Sequence, residues 1–118
     1  MIKKYTILIV DDKLENLQYL NKVLKEEDYD IRATPDGKVA LEAAKKNPPD
    51  LILLDIKMPN MNGYELCKLI KKEECLKDIP IIFISALDSI NDKVQAFEEG
   101  GVDYILQSLL NQKKYKLE

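Results

Sequence analysis

Three stretches of strand length are apolar without interruption: residues 7–10 (Ile-Leu-Ile-Val), 51–54 (Leu-Ile-Leu-Leu) and 81–84 (Ile-Ile-Phe-Ile). Unbroken apolar runs fit strands covered on both faces, as in a parallel sheet. Weaker strand signals lie at residues 30–33 and 102–105. Between these runs the apolar positions recur at helical spacing: Leu17, Leu20 and Leu24; Ala40, Ala43 and Ala44; Leu66, Leu69 and Ile70; and, over a shorter stretch, Val94 and Phe97. Turn formers fall where the periodicity lapses, at Asp36-Gly37, Asn47-Pro48-Pro49, residues 59–63, Pro80 and Gly100-Gly101. The order is βαβαβαβαβ followed by a short tail. Such alternation predicts an α/β fold, a doubly wound parallel sheet with helices on both faces and right-handed crossovers. No internal repeat, low-complexity stretch or linker interrupts it.

Composition narrows the class. At 118 residues, with 46% hydrophobic and 33% charged positions, the chain has the size and core-forming material of one domain. A net charge of −3 argues against a dedicated nucleic-acid module. There is no histidine, which excludes a Ser-His-Asp triad, a Cys-His pair and the usual His-containing zinc sites. Any metal is expected to be a hard, oxygen-liganded cation. Cys67 and Cys75 form no recognisable motif and are expected to be reduced thiols of a cytoplasmic protein. The basic start, Met1 to Lys4, leads into an apolar run too short for a signal peptide or a membrane span.

In open α/β sheets, sites form beyond the carboxyl ends of the strands. The first run ends in Asp11-Asp12, the third in Asp55 and the fourth in Ser85, while the fifth continues through Tyr104 to Gln107. Each has an ordinary alternative. Asp12 could cap the following helix, Asp55 could simply close a strand, and Ser85 could be a turn hydroxyl. Together they suggest more. If the first and third strands are neighbours, three carboxylates meet, and their repulsion calls for a divalent cation. An all-oxygen, incomplete cage favours Mg²⁺, beside which a carboxylate can attack phosphorus to form an acyl phosphate. Ser85 could then hydrogen-bond the new phosphoryl oxygens.

At these positions the chain resembles a response-regulator receiver domain of two-component signalling. The resemblance runs from about Tyr5 to Ile105 and is strongest over residues 50–66, where Asp55, the Met58-Pro59 step and Gly63 match as one block. Ile9-Val10-Asp11-Asp12, Ile84-Ser85-Ala86 and the segment from Gly101 to Ile105 match as well. The resemblance implies the flavodoxin-like strand order 2-1-3-4-5. It makes Asp55 the phosphoacceptor, with Mg²⁺ held directly by Asp12, through water by Asp11, and by the backbone carbonyl of Lys57. It makes Ser85 the phosphoryl contact, leaves room at Ala86, and makes Tyr104 the aromatic that changes rotamer. For Tyr104 the alternative is a half-buried aromatic on an edge strand. The implied donor is a histidine kinase, a histidine phosphotransfer protein or a small acyl phosphate. The implied activity is a switch that gains and loses its own phosphoryl group, without an external substrate.

The likeness breaks after Ile105. Gln107 stands where the family carries a lysine and Ser108 where it carries a proline, so residues 1–105 of the single domain 1–118 are family-like and residues 106–118 atypical. The last helix is expected to be short or disordered. A permitted back-translation explains this. With TATATA for Tyr104-Ile105 followed by TTA CAA AGC CTT TTA AAT, loss of one TA yields Tyr-Ile-Thr-Lys-Pro-Phe-Lys. The expectation is a dinucleotide slip after Ile105, which the nucleotide sequence of the gene decides. Uncovered apolar surface at the truncated face would favour self-association. The alternative function is a degenerate receiver, an interaction module with impaired switching. A Mg²⁺-dependent phosphatase fits less well, because Lys13 breaks the D-x-D pattern and no cap domain is present. Lys113, Lys114 and Lys116 read as solvated charge, with no membrane or nucleic-acid role.

Overall fold

The computed structural model describes residues 4–85 and 103–106; side chains are described for residues 4–84. Its strands are β1 (Thr6–Val10), β2 (Asp30–Thr34), β3 (Leu51–Asp55), β4 (Ile81–Ser85) and β5 (Asp103–Leu106). All neighbouring strands run parallel in the order β2-β1-β3-β4-β5. This is the arrangement expected of the flavodoxin-like class.

The two-faced burial inferred from the apolar runs is borne out. On one side of the sheet, Leu8, Val10, Ile52, Leu54 and Phe83 pack with Ala40, Ala44, Leu66 and Ile70. On the other, Ile7, Ile9, Leu53 and Ile84 pack with Leu17, Leu20 and Leu24. Alternate residues of one strand therefore serve different cores, and no position in β1 or β3 is left to water.

Three helices are described, α1 (Leu14–Lys25), α2 (Gly37–Lys46) and α3 (Gly63–Lys72). Buried Leu17, Leu20 and Leu24 give α1 its seam, and Ala40 and Ala44 give α2 a narrow one. Asp36 caps α2 by accepting from the backbone N–H groups of Lys38 and Val39. Asn62 and Glu65 form a reciprocal capping box that starts α3. In α3 the buried seam runs through Tyr64, Leu66, Cys67 and Ile70, whereas Leu69 is 36% exposed. The helical segment at Val94 and Phe97, together with Ala86, Gln107 and the tail with its self-association face, lies outside the described residues. No described helix is long and apolar enough to cross a membrane.

Candidate functional site

The sheet brings two distant acidic segments together. Val10 of β1 pairs with Leu54 of β3, so the next residues, Asp11 and Asp55, emerge side by side at the carboxyl edge. One carboxylate oxygen from each of Asp11, Asp12 and Asp55 lies within 4.8 Å of the others. Asp11 is fully buried and Asp55 is 8% exposed. The chain thus places three acids in a partly dehydrated pocket.

Local bonds set their orientation. Asp11 Oδ1 accepts from the backbone N–H of Lys13 at 2.9 Å, and its Oδ2 accepts from Asn16 Nδ2 at 3.1 Å. Asp12 Oδ1 is buried with no hydrogen-bond partner. A buried, unpartnered carboxylate oxygen is costly unless something positive approaches it. It is the feature a cation would satisfy.

The electrostatics agree. Burial, then the charge of Asp11 and the hydrogen bond and charge of Asp12, push the Asp55 carboxyl from 3.8 up to about 8, against a backbone hydrogen bond from Lys57. Burial also raises Asp11, opposed by the Lys13 and Asn16 donors and reinforced by the charge of Asp12. Without a cation, burial and the neighbouring acids thus favour the protonated form of the Asp55 carboxyl.

Gly63 holds the floor of the site. Its N–H donates to Ile56 O at 2.8 Å. A β-carbon there would collide with the carbonyl oxygen of Asp55 and come within 3.0 Å of Ile56 Cα. The first turn of α3 can press against the end of β3 only because no side chain intervenes. Beside the acids opens a cavity of about 590 Å³, lined by Asp12, Ile56, Lys57, Met58 and Tyr64.

The other expected site residues are placed only in part. Ser85 ends β4, one residue beyond Ile84, which pairs with Asp55. Tyr104 sits in β5 opposite Phe83. The side chains of Ser85 and Tyr104, and all of Gln107, lie outside the description. Lys57 is exposed and its backbone follows Asp55 by two residues, so its carbonyl is near the cluster in the chain. Sequence reading did not single out Asn16. A polar residue in a first helical turn carries no local sign that its side chain turns back toward the preceding loop.

A family model for the response regulator receiver domain matches residues 7–114. The response regulator PleD of Caulobacter vibrioides is 37% identical over 103 residues, covering 87% of this chain and 23% of that protein. The structure of a putative response regulator from Chloroflexus aurantiacus superimposes with a TM-score of 0.85 at 34% identity, covering 95% of this chain and 96% of that one. The BeF3-activated N-terminal receiver domain of Klebsiella pneumoniae RstA gives a TM-score of 0.80 at 31% identity, covering 91% and 93%. The chain spans 23% to 24% of the length of the first curated relatives it matches.

Proposed function

The chain belongs to the response regulator receiver domain family of phosphorelay signalling, and from that premise we propose that Asp55 accepts a phosphoryl group in a Mg²⁺-dependent reaction. One observation carries the reading: three acidic oxygens within 4.8 Å of one another, with a buried Asp12 oxygen unpartnered beside them. Asp12 and Asp55 would hold the ion directly, Asp11 through water and Lys57 by its carbonyl, a donor set of oxygens alone that suits Mg²⁺. Once bound, the ion offsets the charge of the acids and of the transferring phosphoryl group.

The chemistry then belongs to the chain. Asp55, deprotonated, attacks phosphorus through one carboxylate oxygen. The bond from phosphorus to the donor breaks, and its electron pair leaves with the donor, an imidazole of a histidine kinase or phosphotransfer protein, or the carboxylate of a small acyl phosphate. Attack by water later returns Asp55 and inorganic phosphate. Asp55 is 8% exposed, so the donor must come to the carboxyl edge of the sheet. Ser85 ends the adjacent strand, one residue beyond the partner of Asp55, and in this reading its hydroxyl donates to the phosphoryl oxygens. The domain shares a compartment with its donor, the cytoplasm in this reading.

Gln107 in place of a lysine would offer the phosphoryl group a neutral hydrogen bond, weaker than a charged one. Phosphorylation is therefore expected to proceed, with a smaller conformational response through Tyr104. The intact acidic cluster favours this receiver over a degenerate one. The test is incubation with Mg²⁺ and acetyl phosphate followed by peptide mass mapping. One phosphoryl adduct on Asp55, absent with a chelator and absent in Asp55→Asn, is expected. Labelling elsewhere, or none, would overturn the reading.

A further inference from the structure

We infer that Asn16 is a positioning residue for the cation site, holding the Asp11 carboxylate in the plane from which it serves the ion. The inference rests on the Mg²⁺ reading above and extends it to a residue outside the acidic cluster.

Asp11 is tethered at both oxygens, by the Lys13 backbone N–H from the loop and by Asn16 Nδ2 from the helix. The terminal torsion of an aspartate is broad, and donors at both oxygens, beside the hydrogen bond shared with Asp55, narrow the swing of the carboxylate plane. Asp11 is buried and both of these donors come from the chain itself, so loss of the Asn16 amide removes a fixed donor from a carboxylate with few alternatives. A carboxylate oxygen accepts from more than one direction, so tethering is compatible with a role toward the ion.

The position of Asn16 is itself set by packing. It lies in the first turn of α1, and the next residue, Leu17, is buried in the core with Leu20 and Leu24. The α1 N-cap residue, Lys13, makes no side-chain cap bond, and its backbone N–H instead meets Asp11. The start of α1 and the acid are thus joined twice, and the helix, anchored by its leucines, holds the acid in place. An amide suits the role chemically: it donates without adding a positive charge that would compete with the ion.

The full chain is tested as the native protein, Asn16→Leu (same branched skeleton, no donor) and Asn16→Gln (donor retained). Three quantities are measured: Mg²⁺ affinity by calorimetry, the melting temperature in chelator, and the rate of phosphorylation by acetyl phosphate against Mg²⁺ concentration. Asn16→Leu is expected to weaken Mg²⁺ binding by about tenfold, the lower end for loss of a group that orients a metal ligand. Asn16→Gln should recover most of that loss. At saturating Mg²⁺ the Leu variant should phosphorylate within about twofold of the native rate, since the group acts on binding of the ion and not on the transfer. Unchanged Mg²⁺ affinity in Asn16→Leu, or equal weakening in both variants, would overturn the role of the amide donor. Failure of the native chain to bind Mg²⁺ would instead remove the functional reading, and this inference with it.

Discussion

Asp55 carries a carboxyl raised by its burial and by the acids beside it. Its carboxyl lies at 3.8 in the unfolded chain and about 8 in the fold, so between about pH 4 and pH 8 the native state keeps a proton that the unfolded state has released. Stability from this group is greatest below the window and falls as pH rises through it. Melting curves in chelator should therefore decline from about pH 4 toward pH 8, while saturating Mg²⁺ or Asp55→Asn should flatten the decline. A profile in chelator that rises over this range would contradict the raised carboxyl. The three acids were legible because each ends or follows a strand-length apolar run. Asn16 was not, because its bond to Asp11 exists only once α1 has docked by its leucines and turned that side chain back.

Between strand and helix, the turn from β3 into α3 is where an element positions chemistry. Asn62 starts the helix through a reciprocal box, and Gly63 lets it press on the backbone of Asp55 and Ile56. Gly63→Ala should cost about 1–3 kcal/mol, the range for overpacking a close contact, and should weaken Mg²⁺ binding because Asp55 must shift. Asn62→Ala should cost about 1 kcal/mol and leave Mg²⁺ binding near native, since it removes a cap without crowding the strand. Urea unfolding and calorimetry on both variants separate the two effects. Periodicity placed α3 by Leu66 and Ile70, whereas the capping box starts it at Gly63. The weak signal at β2 has its own cause: an edge strand has a half-exposed pattern, and its apolar content is accordingly thin.

Across the whole molecule, β3 joins the two cores and carries Asp55, the proposed acceptor, at its end. Leu54 is fully buried in one core, and the adjacent Asp55 belongs to the site. Leu54→Ala should lose about 2–5 kcal/mol, a large share of the roughly 5–15 kcal/mol that holds a domain together. If the proposed site is right, Mg²⁺ at a hundredfold excess over its dissociation constant should return about 2.7 kcal/mol, because the ion would bind the folded cluster and not the dispersed acids. Urea midpoints of this variant with Mg²⁺ and with chelator test the link between core and site. A variant that gains nothing from Mg²⁺ would show the cluster to be unformed when the core is weakened.

The alternation of elements and the two-faced strands could be read from the chain, because burial period is a property of neighbouring residues. The candidate acids could be read too, because a charged residue closing an apolar run stands out locally. Strand order came from family resemblance and not from pattern, since no local feature says which strand lies beside which. The pairing of β1 with β3 converts acids far apart in the chain into groups 4.8 Å or less apart, and their burial raises the Asp55 carboxyl. Proximity and dehydration are properties of packed elements, so the charge cluster, its unpartnered oxygen and the tether from Asn16 arise only when the sheet has closed and α1 has docked upon it.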